Sequence, residues 1–284
     1  MNFKNPTAEL FIPDGLGEAE ALARVTRLGI GAHQDDIEFM AFAGIVACCE
    51  SDTEYFAGVT CTDGAGSARS GAYAHFTGEQ MRAIRRKEQN CAAQIGCYAA
   101  MIQLDYASAA VKEPPASSLH ADLLEVLRAT RPRIVYTHNL ADKHDTHIGV
   151  AVAVIRAIRA LPPGERPQAV YGCEVWRGLD WMTDAQKVVQ DVGHHDALAA
   201  ALNGVFESQI AGGKRYDLGV IGRRHANATF LESHAVDRTD SVAFAMDMSP
   251  LIRDDSLDIA GYVDGLIAAF REEVMAKLHD RLGR

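Results

Sequence analysis

Short apolar runs alternate with helix-like patterns along the first 176 residues of the chain. Val25 to Ala32 is a compact apolar run that predicts a buried strand, and Ile37 to Glu50 carries helical spacing directly after it. Tyr55 to Cys61 predicts a second strand. Thr62 to Gly78 holds Gly64, Gly66, Gly71 and Gly78 among small polar residues and predicts a long loop. Glu79 to Gly96 is helical in pattern, with Gly96 placed as a terminating residue. Cys97 to Leu104 is a third strand, Leu119 to Ala129 a helix halted before Arg131-Pro132, and Arg133 to Thr137 a fourth strand. Thr146 to Leu161 is a helix stopped by Pro162-Pro163, and Ala169 to Trp176 a further strand.

This rhythm is that of an α/β fold with a mostly parallel sheet and helices on both faces. Beyond Trp176 it changes. Residues 194–232 read as mainly helical, Ala235 to Met248 includes a strand-like stretch, and Ile259 to Leu282 reads as an amphipathic terminal helix. No internal repeat or low-complexity linker divides the chain. The expectation is one domain over residues 1–284, with a core at about 25–176 and a C-terminal extension at about 177–284.

Bulk properties narrow the function. No run approaches the roughly 20 apolar residues that cross a bilayer. Residues Met1 to Glu18 carry Lys4, Glu9, Asp14 and Glu18 without an apolar stretch, which argues against a secretory signal. A net charge of −10 disfavours a nucleic-acid partner. The dense basic groups are Arg82, Arg85, Arg86 and Lys87, with a smaller pair at Arg223 and Arg224; each suits one anionic or polyhydroxylated small molecule. The six cysteines have apolar flanks and no CxxC spacing, as expected of free thiols in a reducing, cytoplasmic setting.

Two segments carry the chemistry. In Ala32-His33-Gln34-Asp35-Asp36-Ile37-Glu38, an imidazole and two adjacent carboxylates stand at the carboxyl end of the first strand, where open α/β sheets bind ligands. Such crowding is costly unless a cation neutralises it. His138 to His147 follows the fourth strand and opens the next helix, with His144 and His147 three residues apart. Together they suit a hydrolytic zinc site with three protein ligands and one open position. The expected ligands are His33, Asp36 and His147. Asp35 is the candidate general base, and His144 is the candidate oxyanion stabiliser, as an imidazolium hydrogen-bonded by Asp145.

Other residues admit plainer readings. His138 suits a pocket or a structural role equally, Asn139 and Asp142 suit bonds to their own turn, and Glu38 complements a helix dipole. Adjacent His194 and His195 point apart and suit a surface. Gly64 and Gly66 lack a following helix and Walker lysine, so a nucleotide cradle is disfavoured.

The paired segments resemble the two motifs of the PIG-L/LmbE-like family of zinc-dependent N-deacetylases, Ala-His-Pro-Asp-Asp-x-Glu at Ala32 to Glu38 and, roughly, His-x-Asp-His at His144 to His147, which here reads His-Asp-Thr-His. The resemblance covers about residues 25–160. Gly213 to Leu218, Arg223 to Ala228 and Glu232 to His234 are reminiscent of bacterial members and bring His234 into question as a pocket residue. The resemblance implies a Rossmann-like fold, Zn²⁺ or another divalent ion, a homo-oligomer, and removal of an N-acetyl group from an amino-sugar-type small molecule. It matches His33, Asp36 and His147 to the metal ligands, Asp35 to the base, and His144 with Asp145 to the oxyanion group. An Arg-x-x-Glu pattern for substrate contact fits Arg85 with Glu88, and Arg86 stands beside it. Gln34 replaces the usual proline, and Ile148 stands where many members carry a basic residue. The alternatives are a metal-dependent amidohydrolase on a non-sugar amide and a non-catalytic nucleotide-binding module.

Overall fold

Arg27–Gly31 (β2) is central to the architecture: four of its five residues are buried, as fits a strand covered on both faces. The computed structural model describes residues 1–113 and 117–284. The other strands are β1 (Glu9–Phe11), β3 (Phe56–Thr62), β4 (Ala100–Tyr106), β5 (Ile134–His138), β6 (Ala169–Cys173), β7 (Lys187–Asp191) and β8 (Val242–Asp247). They form one sheet in the order β1-β4-β3-β2-β5-β6-β8-β7. Neighbours from β4 through β6 are parallel, whereas β1, β8 and β7 join antiparallel at the two sides.

The helices are α1 (Glu18–Ala23), α2 (Asp36–Met40), α3 (Phe42–Cys49), α4 (Gly78–Ile95), α5 (Ser108–Lys112), α6 (Ser117–Thr130), α7 (Asp145–Arg159), α8 (Asp196–Gly204), α9 (Glu207–Ile210), α10 (Tyr216–Phe230), α11 (Ser249–Arg253) and α12 (Ile259–Leu282). One core layer, with Leu28, Ile30, Val59, Leu123 and Val154, lies under α6 and α7. The other, with Ile37, Phe42, Ile45, Phe56 and Tyr136, lies under α2 and α3.

The chain leaves central β2 toward β3 and β4 on one side and later returns to β5 and β6 on the other. This is the doubly wound topology, and its switch point lies between the carboxyl ends of β2 and β5. The mixed, mostly parallel α/β architecture is as the pattern predicts.

Several details differ from the pattern. The helix expected over Ile37 to Glu50 is two, because Ala41 leaves helical geometry at φ −100° and ψ 19°. The strand expected to reach Trp176 ends at Cys173. Strands β1 and β7 are additions to the reading, and α5 falls where no helix was expected. Helix α12 has the expected bounds, but none of its residues is buried. Only Ile259, Tyr262, Val263 and Leu266 rest on the core, so amphipathic packing is confined to its first turns. No helix of the described residues is long and apolar enough to cross a membrane.

Candidate active site

At the end of β2 the chain turns sharply into α2, and Gly31 is what lets it. A Cβ there would stand 3.0 Å from Asp36 Cβ and 3.1 Å from Ile37 Cγ1. Asp35 lies in the turn at φ 96°, a left-handed backbone that side-chain-bearing residues rarely adopt. Its N–H donates to Gln89 Oε1 at 3.2 Å. Gln34, in the place of a proline, donates through its side-chain amide to Thr62 O at 3.0 Å and ties the turn to the end of β3.

The turn and α7 bring three donor atoms together. His33 Nδ1 lies 3.2 Å from Asp36 Oδ2 and 3.2 Å from His147 Nε2, and His147 Nε2 lies 3.4 Å from Asp36 Oδ2. Metal–ligand bonds of about 2.0–2.1 Å set tetrahedral vertices about 3.3 Å apart. The triangle therefore has the size of one face of a zinc tetrahedron, and its two-imidazole, one-carboxylate donor set suits a divalent ion. Burial works against ionised Asp36, but the His147 imidazole foremost outweighs it, and the carboxyl is held well below its ordinary range.

A second group, His138, Asp142 and His147, also clusters. Of its donor atoms, His138 Nε2, both Asp142 oxygens and His147 Nδ1 already have partners. His138 Nε2 accepts the Ala32 N–H at 2.9 Å, and its ring stacks on His147 at 3.8 Å. Burial pushes the His138 imidazole down to about 4, so it is neutral. Asp142 Oδ2 faces His147 Nδ1 at 3.1 Å, while its Oδ1 accepts the His144 N–H at 2.8 Å. Asp142 thus fixes the proton of His147 on Nδ1 and leaves Nε2 free for a cation. The plainer reading of Asp142 as a turn residue caught only its bond to the His144 backbone. His138 and Asp142 serve as supports.

The triangle lies on the wall of a cavity of about 350 Å³ that also exposes Asp35, Arg85 and His144. Burial, only partly offset by the Arg85 guanidinium, pushes the Asp35 carboxyl up to about 6. Arg85 is 1% exposed and reaches Asp35 Oδ2 at 2.8 Å and Glu88 Oε2 at 3.0 Å. Glu88 in turn accepts the Ser208 N–H and hydroxyl from α9. Arg86 instead turns outward to Thr7, Glu9 and Asp105, so of the two arginines Arg85 is the one at the cavity.

The expected pairing of Asp145 with His144 is absent. No hydrogen bond joins them among the described residues, because Asp145 is exposed on the first turn of α7, where it complements the helix dipole. Burial and the charges of His147 and His33 lower the His144 pKa, so the imidazolium expected from a carboxylate partner is not favoured. His144 nevertheless sits beside the triangle, its ring 5.0 Å from His33 and 4.8 Å from His147. His234 is exposed and lines no part of this cavity, and His194 and His195 lie at the surface near Asp240 and Glu50. Glu38 is fully buried rather than a surface dipole partner; it accepts bonds from Tyr98 and Gln89.

The far wall of the cavity comes from later in the chain. Val175, Trp176, Gln209 and Tyr216 face the triangle. Tyr216 packs edgewise against Trp176 at 5.9 Å and tilts against Phe39 at 5.7 Å. The aromatic wall gave no local pattern in the sequence, since its members lie far apart along the chain.

Comparison with known proteins follows the same division. Residues 28–158 match the model of a protein family described as PIG-L, GlcNAc-PI de-N-acetylase. No curated protein matches the chain. Among solved structures, N,N′-diacetylchitobiose deacetylase from Pyrococcus horikoshii aligns with a TM-score of 0.61 at 16% identity, over 81% of this chain and 85% of that one. The zinc-inhibited form of teicoplanin deacetylase Orf2 aligns at 0.59 and 13% identity, over 78% of this chain and 97% of that one. GalB, the 4-carboxy-2-hydroxymuconate hydratase from Pseudomonas putida, aligns at 0.60 and 19% identity, over 79% of this chain and 96% of that one. These likenesses establish a shared fold. His33, Asp36 and His147 all fall inside residues 28–158, the segment that matches the PIG-L family model.

Proposed function

We propose that the chain is a Zn²⁺-dependent hydrolase that removes an N-acyl group, N-acetyl foremost, from an amino-sugar-type small molecule. The observation that carries this reading is the triangle of His33, Asp36 and His147 donor atoms, 3.2–3.4 Å apart, on the wall of the cavity that exposes the Asp35 carboxyl. The family description and the two deacetylases among the fold neighbours support it.

A divalent ion held by the triangle supplies Lewis acidity, polarising the amide carbonyl and acidifying a water. Asp35 takes the proton of the attacking water and delivers it to the departing amine. A carboxyl raised toward neutrality by burial suits both halves of that task. Arg85 holds the Asp35 carboxylate in one orientation and offers its cavity-facing edge to the substrate. The His144 N–H stabilises the carbonyl oxygen as it gains charge.

Metal analysis and acetate release from N-acetylglucosamine test the reading. His33→Ala is expected to lose the metal. Asp35→Ala is expected to keep it and lose about 10²–10⁴-fold in turnover; full activity of that variant would overturn the mechanism. A panel of acylated sugars and acylated amino acids decides between sugar and non-sugar amides. The shared fold of GalB makes hydration of a double bond the second reading, and it predicts loss of ultraviolet absorbance from an unsaturated acid with no acetate released.

A further inference from the structure

Arg224 is 4% exposed, yet it meets no carboxylate within ion-pair distance among the described residues. One nitrogen, Nη2, donates to the carbonyls of Glu38 at 2.8 Å and Phe39 at 3.0 Å, and the guanidinium lies 4.1 Å over the Phe42 ring. Its Nε and Nη1 are buried and have no partner. A buried cation left without a counter-charge is strongly destabilising. Burial alone depresses its pKa to about 9.

The surroundings point to the missing charge. Arg224 lines a small cavity of about 30 Å³ together with Arg177 and Arg223. Neither of those forms an ion pair among the described residues either, in a chain of net charge −10. Arg223 Nη1 reaches over Gly178, and its Nη2 donates to Trp176 O at 3.3 Å. Glu174 also lines the cavity, but its oxygens already accept Trp176 N–H at 2.9 Å and Asn139 Nδ2 at 3.2 Å. Three arginines thus face one occupied carboxylate in the cavity; the Asp180 carboxylate also lies beside Gly178, but it lines no part of the cavity and forms no ion pair with them among the described residues. Phe39 and Val175 are walls of both this cavity and the one at the metal triangle.

We infer that Arg177, Arg223 and Arg224 form a carboxylate-binding subsite beside the metal triangle, so that the substrate is an acidic N-acyl compound whose carboxylate docks there. The subsite follows from the arginines themselves, while the identity of its ligand as substrate rests on the deacylase reading.

Two measurements separate these layers. Sodium formate is titrated into the metal-stripped full chain, with sodium chloride at equal ionic strength and formamide as controls. Formate alone is expected to raise the melting temperature by a few degrees at saturation. The rise should persist in His33→Ala and vanish in the double variant Arg177→Ala/Arg223→Ala, both exposed enough to be replaced if Arg224→Met does not fold. No rise, an equal rise with chloride, or a rise lost only in His33→Ala overturns the subsite. In the holoenzyme, N-acetylated amino sugars and amino acids are compared in pairs with and without a free carboxylate. The acidic member is expected to gain about ten- to a hundredfold in kcat/KM, and the double variant to lose that preference. Equal kcat/KM across the pairs overturns the assignment to substrate. Formate binding with no acetate release from any compound leaves the subsite standing and removes the deacylase reading instead.

Discussion

Asp142 is held by two short bonds, one oxygen on the His144 backbone and the other on His147 Nδ1. Its work is to aim a lone pair. Carboxylates that orient a ligating imidazole are worth about 10–100-fold in metal affinity. Asp142→Ala should weaken zinc binding by that factor in chelator competition. Asp145→Ala should leave the affinity unchanged, since Asp145 makes no side-chain bond to the site. The clustering of His33, Asp36 and His147 was legible because His and Asp in two tight groups are hard to explain without a cation. The role of Asp142 was not legible. An aspartate in a turn bonds its own backbone so commonly that its second oxygen, reaching a histidine five residues on, leaves no separate mark in the pattern. The pairing of Asp145 with His144 failed for a related reason: adjacent residues at a helix start diverge, so nearness in sequence was poor evidence of contact.

Helix α2 is only five residues long, and its position depends on how closely it can approach β2. Gly31→Ala would force a methyl to about 3 Å from both Asp36 and Ile37. The expected cost is about 1–3 kcal/mol in urea unfolding, with weaker zinc retention because Asp36 moves with the helix. Helices α4 and α9 are joined by Glu88 and Ser208. Ser208→Ala removes one buried bond to a charged group, expected to cost about 1.5–3 kcal/mol in the same measurement. Because Glu88 also holds Arg85, turnover should fall with it. At this scale the long, periodic elements α4, α6, α7 and α12 were readable nearly to their ends. Strand β1 was not, having three residues and therefore no period to detect; it exists through pairing with β4. Nor was β7, whose Lys-Val-Val-Gln-Asp run is half exposed at the sheet edge and becomes a strand only beside β8.

Across the whole molecule the mostly parallel sheet follows from the alternation of strand and helix, so the fold class was legible in the sequence, whereas the strand order was not. Nor was the cavity, since its wall is assembled from stretches as distant in the chain as His33 and Tyr216. A metal that binds only the native state adds stability by mass action. Zinc at about 100 times its dissociation constant should therefore stabilise metal-stripped protein by about 2.7 kcal/mol. Calorimetry should register this as a rise of several degrees, absent from His33→Ala.

The triangle and Asp35 lie within residues 28–158, while Val175, Trp176, Gln209 and Tyr216 come from beyond it. On the proposed function, the reactive groups come from one stretch of polypeptide and the aromatic part of the wall around the substrate largely from another. Drift or deliberate grafting in the later stretch can retarget the catalyst toward a new molecule while its chemistry passes unaltered from ancestor to descendant.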